Sequence, residues 1–255
     1  MLCDRGRVAL WDSHMARLAR GCRRLGLPFP GEYAIASDLH RLTGEARSGV
    51  FRVQCTAGCG GRGYGRPAEV IPTRISSVSP LPQYPNQFWR DGVRLHVCSL
   101  RLGRQPALAG IKHCSRLEYV LARSEWDDPD IPEGLLMDEQ GHVTEGVVSN
   151  AFAVVEGELL TPSLDECGVA GVMRQQVLAL AEALRIPART GRFSLSTWLK
   201  ADELFMTNAL VGVWPVARVG DTAFSTGPVT QRLRMTLRDA GIGMEAVRER
   251  LQEDQ

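Results

Sequence analysis

Two tight glycine turns and one long amphipathic helix, all between residues 133 and 187, most narrow what this chain can fold into. In GLLMDEQGHVTEG two short apolar runs flank a Gln-Gly turn, and in NAFAVVEGELLTP two more flank Glu-Gly. Such pairs predict β-hairpins, because glycine accepts the left-handed backbone that a two-residue turn requires. GVMRQQVLALAEALRIP at 171–187 comes next, with apolar residues at helical spacing, Gly171 at its start and Pro187 just past its end. Hairpins running straight into a helix predict a mixed α/β (α+β) fold.

The rest of the chain fits that class. Residues 12–27, DSHMARLARGCRRLGL, put Met15, Leu18, Ala19, Cys22 and Leu25 on one helical face, with Asp12 or Ser13 as N-cap and Pro28 as the stop. GVFRVQCTAG (49–58), TRISSVSPLP (73–82) and GVRLHVCSLRLG (92–103) read as strands. HCSRLEYVLARSEW reads as an amphipathic helix, ADELFMTNALVGVWPV as a return to strand, and 228–239 as a closing helix. The texture changes after residue 104, which predicts an N-terminal α/β domain over 1–104 and a larger, barrel-like C-terminal domain over 105–255.

Composition excludes several classes. A net charge of +1 gives no electrostatic reason to expect nucleic acid or a membrane surface as partner. No apolar stretch approaches the roughly 20 residues of a membrane span, and MLCDRGRVALW lacks the apolar core of a signal peptide. Seven cysteines, an odd number without a secretory signal, argue for reduced thiols and a cytoplasmic location. Cys55 and Cys59 stand four apart, but no second cysteine pair or histidine cluster completes a metal site, so no metal is expected.

Of the 30 basic residues only Lys112 and Lys200 are lysines, leaving 28 arginines. A chain that has replaced lysine almost everywhere draws attention to Lys112. It comes after the small, apolar segment PALAGI, which suits a desolvated strand end. A desolvated lysine is a nucleophile able to form a Schiff base with a carbonyl or with pyridoxal phosphate. That cofactor needs a cradle for its phosphate and a partner for its ring nitrogen. Glu145, in TEGVVSN after a strand, offers the second; CGVAGVMRQQV, a glycine-rich turn opening a helix, offers the first. Each residue alone has an ordinary reading as a surface acid or a helix-opening glycine. Their order and separation carry the signal.

The ordered blocks HMAR (14–17), LAGIKHCSRLE (108–118), VTEGVVSNAF (143–152), GVAGVMRQ (168–175) and ADELFMTNAL (201–210) resemble the fold-type IV pyridoxal-phosphate enzymes. That family includes branched-chain and D-amino-acid aminotransferases and the aminodeoxychorismate lyases. RLGRQPALAGIKHCSRLE and the loop GCGGRGYGRP look like the lyases. The resemblance implies that Lys112 holds the cofactor and moves the proton, that Arg17 contacts its phosphate and that Glu145 pairs with its ring nitrogen. It further implies phosphate contacts from the backbones of Val172 and Met173 and from Asn208 with Ala209, the last without the hydroxyl that aminotransferases often carry there. Tyr64 and Arg101 fall in lyase-like segments and are implied contacts for a dicarboxylate substrate. The implied reaction releases pyruvate from 4-amino-4-deoxychorismate to give 4-aminobenzoate for folate synthesis, in a homodimer. The implied alternatives are an aminotransferase or a catalytically impaired, shortened homologue.

In one respect the chain departs from that pattern. Family members usually start with two strands and a block resembling DRGxxYGDGLFET before the His-x-x-Arg helix. Here MLCDRGRVALW aligns with the segment after that block, so the upstream strands and some substrate-side residues are expected to be missing. Asp4-Arg5-Gly6 is not that block's DRG and is expected in the turn before the helix.

Overall fold

Asp4-Arg5-Gly6 does make a turn: Arg5 (φ 46°) and Gly6 (φ 72°) both take the left-handed conformation, folding β1 (Leu2–Asp4) back on β2 (Arg7–Val8). The structure, a computed structural model, describes residues 1–44, 48–60, 62–66 and 69–253. Its chain forms two units, Met1–Gln83 and Tyr84–Gln255.

In the first unit α1 (Trp11–Arg24) and α2 (Glu32–Thr43) precede β3 (Gly49–Thr56) and β4 (Thr73–Ser79). The strands form an antiparallel sheet in the order β2-β1-β3-β4. Cys3, Met15, Ile35, Leu39 and Phe51 make its core. α1 starts at Trp11 behind a left-handed Leu10 (φ 56°), so Asp12 and Ser13 lie in its first turn and neither is the N-cap. Across the sheet, the buried Asp38 of α2 accepts from Arg74 Nε (2.7 Å) and Ser76 Oγ (2.6 Å) of β4. Those donors hold its carboxyl below the usual range. Gly61 and Pro67 of the glycine-rich loop lie outside the described residues.

The second unit runs α3 (Gln87–Arg90), β5 (Val93–Leu102), α4 (Leu117–Arg123), β6 (Glu133–Asp138), β7 (Val143–Gly146), β8 (Asn150–Val155), β9 (Glu158–Pro162) and α5 (Val172–Ala183). It continues through β10 (Ala188–Gly191), α6 (Leu195–Leu199), β11 (Glu203–Asn208), β12 (Gly212–Val219), β13 (Thr222–Ala223), α7 (Pro228–Asp239) and α8 (Met244–Glu253). One curled sheet carries the strands in the order β10-β9-β8-β11-β12-β5-β6-β7, with β13 on β12. β6, β7, β8 and β11 are buried almost throughout. Strands covered on both faces need apolar residues at successive positions, hence runs such as GLLM and NAFAVV.

This sheet moves the domain boundary. The strand expected to end the first domain, β5, pairs in parallel with both β12 and β6 and belongs to the second unit. The division falls instead in the proline-rich stretch before Tyr84. Both expected hairpins form; the β8–β9 turn uses left-handed Glu156 (φ 50°) and Gly157 (φ 79°). α5 ends earlier than Pro187: left-handed Arg185 (φ 56°) comes after it, and the Ile186 N–H donates to the Ala181 carbonyl at 2.8 Å. ADELFMTNALVGVWPV is two strands, β11 and β12, rather than one. No helix among the described residues is long and apolar enough to cross a membrane.

The buried Glu203 at the head of β11 fastens the closing helix. Its carboxylate accepts the Val229 N–H (3.1 Å) and Thr230 N–H (2.7 Å) in the first turn of α7. A side chain at the α7 N-cap, Gly227, would place its Cβ 2.2 Å from this carboxylate. Glu203→Ala leaves those N–H groups unpaired and should cost about 2 kcal/mol. Urea unfolding at neutral pH measures it; an unchanged midpoint would show α7 to be held by packing alone.

Candidate active site

Lys112 sits in irregular backbone between a β-bridge at Gly110 and the start of α4. The bridge joins Gly110 in parallel to Val169: Gly110 N–H donates to the Gly168 carbonyl (2.9 Å), and Ala170 N–H returns to the Gly110 carbonyl (3.1 Å). Gln105 N–H adds a bond to the Glu166 carbonyl (2.7 Å). This zipper fixes the lysine segment beside residues 166–170, which lead into α5. The side chain of Lys112 is exposed and its backbone is not in a strand, so the expected desolvated strand end is corrected. What marks the residue is a carboxylate neighbour.

That neighbour is Glu145, on β7, only 2% exposed. Tyr119 Oη donates to Oε1 (2.6 Å), while Asn150 Nδ2 (3.1 Å) and Val169 N–H (2.9 Å) donate to Oε2. Burial pushes its pKa up to about 7. The bonds from Tyr119 and Val169 and the charges of Arg116 and Lys112 oppose the rise. Glu145 is thus a buried core acid rather than a surface one, and Lys112 lies close enough for its charge to count.

Asn150 ties this acid to the helix start. Its Nδ2 also donates to the Val169 carbonyl (2.9 Å), and its Oδ1 lies 2.0 Å from where a Cβ on Gly171 would be. Gly171 is the extended N-cap of α5, so only glycine lets this helix begin against Asn150. Val172 and Met173, both buried, open the helix, and first-turn N–H groups have no partner within a helix. Arg174, one residue on, donates from Nε to Thr161 Oγ1 (3.1 Å) and from Nη2 to the Pro162 carbonyl (2.9 Å), pinning this turn to β9. An N-terminal turn with a cation beside it favours a phosphate.

Asn208 and Ala209 lie at the same end of the sheet, because Thr207 pairs with Asn150 across β11 and β8. Asn208 Oδ1 accepts from Leu210 and Val211 N–H (2.8 and 3.0 Å), while its Nδ2 donates to the Val148 carbonyl (3.2 Å). The side chain therefore shapes the β11–β12 turn. Lys112, Glu145 and the α5 start are brought together; Asn208 and Ala209 are adjacent.

Of the remaining expected residues, Arg17 and Tyr64 belong to the first unit and Arg101 to β5 of the second. Arg17 is on α1 of the first unit, 3.4 Å from His14 Nδ1, with its pKa pushed down to about 10 by burial and the charge of Arg20. Tyr64 is fully exposed in the first unit's loop. Arg101 spends Nη1 on the carbonyls of Cys98, Ser99 and Leu100, closing an irregularity in its own strand β5. Glu125 braces the same place, accepting from the N–H groups of Ser99 (2.7 Å) and Leu100 (2.9 Å). It also stands with His96 and Cys98 in a grouping of metal-ligand type. Burial pushes the Cys98 thiol up to about 12, and Glu125's oxygens are taken by the strand, so the group reads as a structural brace.

Asn150, Tyr119, Arg116 and Arg174 were not singled out from the sequence. Asn150 left one trace, an amide opening an otherwise apolar strand; Tyr119 left none, since an aromatic on an amphipathic helix reads as core.

An exposed lysine whose charge reaches a buried acid, beside a helix N-terminus, suits an anionic ligand. The model of the Amino-transferase class IV family matches residues 1–219, and the chain belongs to that family. A Vibrio harveyi protein named aminodeoxychorismate lyase is 34% identical over 91% of this chain and 88% of its own length. The crystal structure of 4-amino-4-deoxychorismate lyase from Pseudomonas aeruginosa matches with a TM-score of 0.88 and 42% identity, covering 94% of this chain and 88% of that one. A T.th. branched-chain amino acid aminotransferase, solved with pyridoxamine 5'-phosphate, is 25% identical with a TM-score of 0.75, covering 90% and 78%. The curled mixed sheet is the fold-type IV architecture.

The raised Glu145 carboxyl sets a pH dependence. A folded-state pKa of about 7 against an ordinary 4.5 means that its protonated form is favoured by folding. Its contribution is whole below 4.5 and is lost as pH climbs through about 7, on the order of 3 kcal/mol in all. In thermal melts without ligand, wild type should therefore lose stability relative to Glu145→Gln across that window and run parallel above it. Parallel curves throughout would show the carboxyl to titrate normally.

Proposed function

We propose that this chain is a pyridoxal-phosphate-dependent lyase converting 4-amino-4-deoxychorismate to 4-aminobenzoate and pyruvate. The observation that carries the reading is the likeness to the Pseudomonas aeruginosa lyase, 42% identical over 94% of this chain. The Vibrio harveyi relative supports it from sequence alone.

The residues fit the cofactor. Glu145 is a buried acid with a pKa near neutrality, able to share a proton with a ring nitrogen. At Gly168 (φ +81°) a Cβ would lie 3.2 Å from the Glu145 carboxyl carbon, and at Gly171 it would strike Asn150, so both glycines keep the backbone close around the acid and the helix start. Lys112 would hold the group, Glu145 its ring nitrogen, and the Val172 and Met173 N–H groups its phosphate, with the Asn208–Ala209 turn beside them. When bound, the cofactor supplies an electron sink for charge developing on the substrate carbon that bears nitrogen. Lys112, as a free amine, would take the proton from that carbon. Glu145 would keep a proton at the ring nitrogen, and the phosphate contacts would orient the group without taking part in bond making. Breaking the ring carbon–oxygen bond would release enolpyruvate, which takes up a proton to become pyruvate, and the aromatic ring left behind drives the reaction forward. Arg17, Tyr64 and Arg101 enter this reading through the resemblance alone.

An aminotransferase would share the cofactor residues but would need an amino acceptor. Pyruvate release from 4-amino-4-deoxychorismate with no acceptor added separates the two. Wild type should release it and Lys112→Ala should lose at least a thousandfold in rate. Release only on adding a keto acid would make the chain an aminotransferase, and full activity in the alanine variant would remove the lysine from the mechanism.

A homodimer belongs to the same proposal. α4, directly after Lys112, exposes Leu117 (76%), Val120 (59%) and Leu121 (62%) at one-turn spacing, an apolar stripe of the kind that marks protein interfaces. Leu121→Arg should shift the chain from dimer to monomer in light scattering; a monomeric wild type would refute the dimer. The seven free cysteines suit a reducing, cytoplasmic setting.

A further inference from the structure

Two side chains shortly after Lys112 make contacts to which the lyase reading assigns no role. Arg116, the N-cap residue of α4, donates from Nη2 to the Ile111 carbonyl (2.6 Å) and from Nε to the His113 carbonyl (3.2 Å). Those are the carbonyls on either side of Lys112. The same guanidinium lies over the ring of Tyr119, its Cζ 4.7 Å from the ring centroid. Tyr119 in turn donates from Oη to Glu145 Oε1 at 2.6 Å.

The geometry points to Arg116 and Tyr119 as one positioning unit of the active site, the guanidinium locking the backbone around Lys112 while holding the tyrosine hydroxyl on Glu145. This rests on the reading above for the roles of Lys112 and Glu145, but the contacts stand without it.

The chemistry favours such a unit. The lysine segment is irregular backbone, and Arg116 ties down the carbonyls of Ile111 and His113 within it. A planar guanidinium can bond two carbonyls with its edge and stack on an aromatic with its face, which an ammonium cannot do. Beyond the stack, the Tyr119 hydroxyl is a committed donor: burial and the Glu145 charge push its pKa well above the usual range. A donor to a carboxylate favours the charged form, so Tyr119 holds down the basicity of the acid meant to share a proton with the ring nitrogen. Charged and titratable groups facing Glu145 are Lys112, Arg116 and Tyr119 from the lysine segment and α4, Cys167 from the segment before Gly168, and Arg174 from α5. Tyr119 bonds directly to the carboxylate and carries no charge of its own, so removing its hydroxyl is a clean perturbation.

The test uses the full chain carrying carbon-13 in its glutamate carboxyls, titrated by NMR from pH 5 to 9, with Glu145→Gln assigning the signal. Wild-type Glu145 should titrate near 7. Tyr119→Phe keeps the ring and loses the donor, and should raise that value by about one pH unit. Arg116→Lys keeps the charge, frees Tyr119, and should raise it in the same direction. The double variant should show the larger single shift and not the sum, because residues acting as a unit are not additive. In a second measurement, Arg116→Lys should capture added pyridoxal phosphate about tenfold more slowly, read from the absorbance that Lys112→Ala abolishes. Melting curves on each variant verify folding, and Tyr119→Phe, the milder change, decides if Arg116→Lys unfolds. A Tyr119→Phe titration unmoved within a few tenths of a unit, fully additive shifts, or wild-type capture by Arg116→Lys would each overturn the proposal. Failure of the wild-type chain to capture the cofactor at all would instead remove the functional reading, while the carboxyl titration would still decide the positioning.

Discussion

A buried carboxylate with its oxygens bonded holds this site together. Glu145 is almost wholly excluded from water, and the hydrogen bonds that satisfy it come from different pieces of chain: Tyr119 from α4, Asn150 from β8, and the Val169 N–H from the segment entering α5. An unpaired acid in that position would cost several kcal/mol. The three pieces are therefore constrained to meet at one point. Their meeting sets the lysine segment against the helix start, since Val169 is also the bridge partner of Gly110. The same acid thus fixes the geometry of the site and has the pKa that its proposed chemistry needs.

The sheet supplies the rigid frame. β8 carries Asn150 from between β9 and β11, both antiparallel to it, while β7 carries Glu145 at the far end of the same curled sheet. The turn joining β7 to β8 is itself held by a second buried acid. Glu133 accepts the Val147 N–H (2.8 Å) and the Ser149 hydroxyl (2.6 Å), so Glu145 and Asn150 cannot drift apart. Two buried carboxylates within one short stretch are costly, and they are tolerated because each is surrounded by donors.

Local signals were legible in the sequence and distant ones were not. The two glycine-turn hairpins and α5 could be read from spacing because the forces that make them act within a few residues. β5 looked like the end of the first domain because its partners, β6 and above all β12, are far along the chain, and parallel pairing leaves no turn signature. α2 went unread although Ile35, Leu39 and Thr43 recur every four residues, because its buried face also includes Asp38, whose partners Arg74 and Ser76 lie far along the chain. For the candidate site, motif order singled out Lys112, Glu145 and the opening of α5, which the fold brings into one neighbourhood. Their burial was not: the lysine, expected at a desolvated strand end, is exposed, and the acid, whose ordinary reading alone is a surface one, is buried. Arg116 and Tyr119 were invisible because their importance lies in contacts, and no spacing rule distinguishes them from a helix-face arginine and a core aromatic.

The two lysines make the central claim open to a direct measurement. Pyridoxal phosphate incubated with the chain, reduced with borohydride and mapped by mass spectrometry reports which amine captured it. The account predicts the added mass on the peptide containing Lys112 and none on the one containing Lys200, which ends α6. Label on Lys200, equal label on both, or none on either would contradict it.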